Sequence, residues 1–71
     1  MARIEAFVTG SVWKIECSVG DEVAEGAILL VLESMKMEIP VEAEGNGRVT
    51  EILCEEGQSV SEGDVLVVTE P

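Results

Sequence analysis

The sequence predicts an all-β domain: a flattened barrel or sandwich of two four-stranded antiparallel sheets related by a quasi-two-fold axis. Three observations lead there. The first is an internal repeat. Residues 1–34 return as 38–71, a shift of 37 that lays Gly10 on Gly47, Val12 on Val49, Ile15 on Ile52, Cys17 on Cys54, Gly20 on Gly57 and Glu25-Gly26 on Glu62-Gly63. A unit that short cannot bury its own apolar face, so the two copies pack on each other. The second is that the apolar stretches are short, rich in Val, Ile and Leu, and bounded by glycine, the pattern of strands and turns. The third is composition: 46% of the 71 residues are apolar, enough for one small core, although Phe7 and Trp13 are the sole aromatics. The chain reads as a single domain, 1–71.

The elements follow in order. The first copy supplies strands at Ala2–Phe7, Ser11–Cys17, Glu22–Val23 and Ile28–Ser34. The second supplies Met37–Val41, Arg48–Leu53, Ser59–Val60 and Val65–Thr69. Val-Gly-Asp at 19–21 and Glu-Gly-Gln at 56–58 suit turns in which glycine takes positive φ. Val12 and Ile15 are three apart, so a regular strand cannot turn both inward. The same break recurs at Val49 and Ile52, and a bulge in each copy reconciles it. Trp13 is read as a packing residue, with a surface contact as the alternative. The strand order is not given by the sequence.

Charge and residue types narrow the function. Four basic residues against fifteen acids give a net charge of −11, which repels nucleic acid phosphates and anionic lipid and attracts basic partners. Individually, most of these acids are read as solubilising a small monomer. The longest apolar run, Ala27–Leu32, is too short to span a bilayer. Met1-Ala2-Arg3 does not open a basic-then-apolar leader, so the expected location is the cytoplasm. Histidine is absent and no CxxC occurs, which argues against a zinc site and against His-based catalysis. Cys17 and Cys54 are expected to be reduced, buried thiols at equivalent strand positions.

Between the copies stand Met35, Lys36 and Met37. "LESMKMEI" alone looks helical, because its residues are good helix formers, but the repeat places a strand on each side. Met35-Lys36 then becomes a two-residue hairpin loop. Such loops prefer Asn-Gly or Asp-Gly, because their central residues take positive φ. Met-Lys breaks that local rule without structural gain, which points to function. A lone turn lysine is ordinarily just solvated, and methionines ordinarily fill gaps in a core. Yet Arg3, Lys14 and Arg48 all fall in strand-like stretches, and Lys36 alone falls between the copies.

Glu33-Ser34-Met35-Lys36-Met37 resembles the Glu-(Ala/Ser)-Met-Lys-Met signature of the biotinyl domains of biotin-dependent carboxylases. Val19 to Val49 is similar to the core of the biotinyl/lipoyl carrier family, and the likeness covers nearly the whole chain. It is greatest to the stand-alone biotin/lipoyl attachment proteins. The resemblance implies the family's barrel-sandwich hybrid fold. It implies that Lys36 is the covalent attachment residue for biotin, acylated by a biotin protein ligase that recognises Met35 and Met37. Glu33 and Glu38 flank the turn symmetrically, and contact with the ligase and solubility of the tip stand side by side as readings. The resemblance further implies a biotin carboxyl carrier: a swinging arm that takes carboxybiotin from a biotin carboxylase to a carboxyltransferase, often for an acyl-CoA. Tethering raises effective concentration at both sites, and the chemistry belongs to the cofactor and the partner enzymes. Two departures stand out. "AFVTG", Ala6–Gly10, lacks the proline of the family's "AP-x-x-G", and the stretch from Ile15 to Val23 leaves no room for a protruding thumb loop.

Three rivals remain. Lipoyl domains share the fold and the hairpin lysine but usually show Asp-Lys-Ala, so Met35 and Met37 side with biotin. Lipoate, or both groups, would instead serve 2-oxo acid dehydrogenase or glycine-cleavage chemistry. An unmodified interaction module would not depend on Lys36. An enzyme would need a low-pKa thiolate at Cys17 or Cys54.

Overall fold

A computed structural model describes residues 1–71 and contains eight strands and no helix. They are β1 (Ala2–Glu5), β2 (Gly10–Ile15), β3 (Glu22–Val23), β4 (Ile28–Ser34), β5 (Met37–Glu42), β6 (Gly47–Ile52), β7 (Ser59–Val60) and β8 (Val65–Glu70). They form two antiparallel four-stranded sheets, β1-β8-β6-β3 and β5-β4-β2-β7. Each sheet therefore draws two strands from each copy. The copies are interleaved, an order that hydropathy does not encode.

The pairing repeats with the sequence. In β2–β4, Ser11 faces Glu33, Val12 faces Leu32, Lys14 faces Val31 and Ile15 faces Leu30. In β6–β8, Arg48 faces Glu70, Val49 faces Thr69, Glu51 faces Val68 and Ile52 faces Val67. Both ladders shift register at the same place, between Val12 and Lys14 and between Val49 and Glu51. These are the bulges demanded by the spacing of Val12 and Ile15. The extra residue lets Val12 and Ile15 both turn toward the interior. Ile4, Val12, Leu29, Leu30, Leu32, Val41, Val49, Leu66 and Val67 form the core, with Ile15 packed at its edge.

Three expectations are corrected. Trp13 is 49% exposed rather than packed inside, because the bulge carries it and Lys14 to the outer face together. Thr50, its counterpart in β6, donates its hydroxyl to the Val68 carbonyl at 3.1 Å. Cys54 is buried, but Cys17 is only partly so, and both lie two residues past the ends of β2 and β6 rather than within strands. The first strand ends at Glu5, not Phe7. Ala6 leaves the ladder, its N–H donating to the Asp64 carbonyl and its carbonyl accepting from the Gly63 N–H, both at 2.8 Å. Ala43 makes the equivalent bonds to Ala27 and Gly26.

Candidate functional site

The β4–β5 hairpin is the longest paired ladder in the molecule, running from Ile28 opposite Glu42 to Ser34 opposite Met37. Buried Leu30, Leu32 and Val41 anchor its inner face. That packing fixes the register, since a one-residue slip would turn those side chains to solvent. The connection is two residues, Met35 and Lys36, with φ of 53° and 64°. Positive φ at both central positions defines a type I′ turn, whose twist matches that of the strands it joins. They are the only non-glycine residues in the chain with positive φ. The four glycines with positive φ, at 20, 26, 57 and 63, occupy turns inside each copy.

The tip is exposed and convex. Met35 is 92% exposed and Met37 is 63% exposed, so neither fills the core. Lys36 is exposed at the apex, and the only ion pair in the chain joins Arg48 and Glu22, at 3.3 Å. None of the surface grooves is lined by residues 33–38; the largest lies between Glu22, Asn46 and Glu70. A free amine on a convex tip is suited to being received by another protein rather than to binding a small molecule itself. Glu33 and Glu38 are directly opposed in the ladder and both are exposed. Like charges in that relation are destabilising, so the base of the tip carries an uncompensated acidic pair.

Two supports of the tip were not singled out from the sequence. Ser34 Oγ donates to the Thr9 carbonyl at 2.9 Å, tying the end of β4 to the loop before β2. Gly10 lies so close to β4 that an added Cβ would collide with the Glu33 carbonyl oxygen. Gly47 stands in the same relation to Glu70. The repetition of that glycine in both copies is the signal that could have found it.

The surroundings of the two cysteines disfavour the thiolate. Burial pushes both thiols above their ordinary range, and at Cys17 the charges of Asp21 and then Cys54 push the same way. That runs against the thiolate an enzymatic reading requires. No group of three or more His, Cys, Asp or Glu side chains is placed to hold a metal ion.

With this geometry in view, comparison with known proteins is informative. A family model described as "Biotin-requiring enzyme" (biotin/lipoyl) matches residues 1–69. The Biotin/lipoyl attachment protein of Bacillus subtilis is 45% identical over 37 residues, 52% of this chain and 51% of that protein. The Biotinylated protein TB7.3 homolog of Mycobacterium leprae is 48% identical over 40 residues, 56% of each chain. The aligned stretch thus spans about half the length of these curated relatives. Among solved structures, the urea carboxylase of Kluyveromyces lactis matches with a TM-score of 0.92 at 35% identity, over 97% of this chain and 6% of that one. A single-chain, multi-domain long-chain acyl-CoA carboxylase matches with a TM-score of 0.90 at 34% identity, over 96% of this chain and 7% of that one.

Proposed function

Because the chain belongs to the biotin/lipoyl attachment family, we propose that Lys36 is its attachment residue and that the group attached is biotin. The observation that carries this reading is the apex of the hairpin: an exposed, unpaired lysine in a strained turn, between two exposed methionines. A biotin protein ligase would activate the biotin carboxylate with ATP as an acyl-adenylate, releasing pyrophosphate, and the deprotonated Lys36 amine would then displace AMP from the acyl carbon to form the amide. Bound there, biotin supplies a ureido nitrogen that accepts and gives up a carboxyl group. The residues of this chain present the amine, hold the turn and offer Met35 and Met37 as apolar contacts. Glu33 and Glu38 give the ligase an acidic rim against which to place basic side chains.

The work that follows is carriage between a biotin carboxylase and a carboxyltransferase, with no reaction catalysed by this chain alone. The urea carboxylase and acyl-CoA carboxylase matches support that setting. We place the work in the cytoplasm, where the ligase finds ATP and the carboxylase finds bicarbonate. A second reading, lipoyl carriage, is favoured by one observation: the Bacillus relative is named for both groups.

Intact mass of the protein from cells supplied with biotin and lipoate, beside Lys36→Arg, tests the proposal. A biotinyl adduct on the parent alone is the expected result. A lipoyl adduct on Lys36 would transfer the carrier to 2-oxo acid dehydrogenase or glycine-cleavage partners. No adduct after treatment with either purified ligase would refute carriage.

A further inference from the structure

The ladder places two rows of side chains on the outer face of the sheet that bears the hairpin. Ser11, Glu33 and Glu38 form the row nearest the tip, and Lys14, Val31 and Pro40 form the next. Trp13 stands beside Lys14 at the bulge, half exposed. From the register it lies about four residues down the strands from the tip, roughly 13 Å at the rise of a strand. The other sheet is an internal control for this face. There the row equivalent to Lys14, Val31 and Pro40 is Glu51, Val68 and Arg3, and Thr50 occupies the bulge. Thr50 closes the bulge with its own hydrogen bond, so the fold does not require an exposed indole at that position.

We infer that the outer face of the hairpin-bearing sheet, centred on Trp13 with Val31 and Pro40, is a docking surface for the biotin protein ligase that loads Lys36. The inference rests on the carrier reading above. An enzyme that bonds to the amine of Lys36 must seat the tip in its active site. A specific interface covers about 800 Å² on each partner, and the three side chains of the tip do not supply that area. The contact must continue onto the surface beside the tip. This face offers a tryptophan, one of the side chains enriched among interface hot spots, next to the acidic pair at the hairpin base. The partner it fits has an apolar pocket for the indole and basic groups opposite Glu33 and Glu38. Lys14 is the one cation within the strands of this sheet. It fits an acidic or carbonyl group at the edge of that pocket.

The test is steady-state modification of the whole chain by a purified biotin protein ligase with biotin and ATP. Trp13→Thr imports the residue that the equivalent bulge already accepts, and Glu51→Ala on the other sheet serves as control. Trp13→Thr is expected to raise KM for the carrier at least about tenfold, as loss of an interface anchor does, with kcat close to the parent and a melting temperature within a few degrees of it. Glu51→Ala is expected to change neither constant. An unchanged KM for Trp13→Thr would overturn the docking surface while leaving carriage at Lys36 intact. Failure of the ligase to modify the parent would instead overturn carriage, and the docking surface with it. A second readout does not depend on turnover. Trp13 is the only tryptophan, so 5-fluorotryptophan labelling of Lys36→Arg gives a single fluorine resonance. It should shift or broaden when unlabelled ligase is added, and a resonance that stays unmoved would also overturn the proposal.

Discussion

Met35→Asn separates the strain of the turn from its use. Met35 holds a φ of 53° and Lys36 one of 64°. A left-handed conformation costs a residue with a Cβ about 1–2 kcal/mol, whereas asparagine tolerates it by local hydrogen bonding. Met35 is 92% exposed, so its removal sacrifices almost no burial. The substitution should therefore recover about 0.5–1 kcal/mol of that strain. In a domain of this size a kcal/mol moves the melting temperature by about 4–8 °C, so a rise of roughly 2–8 °C is expected. Met35→Gly should gain less, because glycine also adds about 0.4–1 kcal/mol of freedom to the unfolded chain. Thermal unfolding by circular dichroism gives the first half of the result. Ligase kinetics give the second: kcat/KM for Met35→Asn should fall while stability rises. A lower melting temperature would refute the claim that the turn is strained. A higher one with undiminished kcat/KM would refute the claim that the ligase reads Met35.

Further outcomes follow from other parts of the molecule. Gly10→Ala forces a Cβ against the Glu33 carbonyl, and Gly47→Ala does the same at Glu70. Overpacking of this kind costs about 1–3 kcal/mol, so both should lower the melting temperature alike, but only Gly10→Ala should slow modification of Lys36. Leu30 is fully buried between Ile15 and Val41 in the ladder. Leu30→Ala should cost about 2–5 kcal/mol, visible as a large fall in melting temperature or loss of folded protein. The thiols of Cys17 and Cys54 are held above the ordinary value of 9.0 by burial. The folded state thus favours the protonated thiols; their contribution is complete below pH 9 and declines as pH rises beyond it, while the unfolded chain ionises first. Stability measured from pH 8 to 11 should fall less steeply in the double variant Cys17→Ala/Cys54→Ala than in the parent, and equal slopes would refute this assignment.

Much of this fold is legible as a repeat before it is legible as strands. The shift that lays Gly10 on Gly47 also aligns the two ladders pair for pair. The spacing of Val12 and Ile15 gives away the bulge, because two inward side chains three apart have no other explanation in a strand. The same bulge explains why Trp13, expected to pack in part, stands half exposed. A large apolar side chain beside a core residue reads as core unless the extra residue is followed out to the surface. The strand order is hidden for a different reason. Val, Ile and Leu mark which residues face inward but not which neighbour they face, so nothing distinguishes two separate sheets from two interleaved ones. At the hairpin, Met-Lys stands out as a poor turn sequence, while Ser34 and Gly10 do not. Their contribution lies in a hydrogen bond to Thr9 and a close approach to Glu33, contacts between segments that the chain order keeps apart.

Ala2 pairs with Thr69, so both ends leave the fold side by side. Ala43 bonds at the start of β4, the end farthest from Lys36, and the next residues lead to Gly47, against Glu70. The ends and the hairpin tip thus lie toward opposite poles of a body 33 Å long and 17 Å across. Where such a body is held by either end, it behaves as a boom hinged at its base. A small rotation at the hinge becomes a wide sweep of Lys36, with the length of the whole domain as its radius. A group attached at Lys36 would then gain the length of the barrel as added reach.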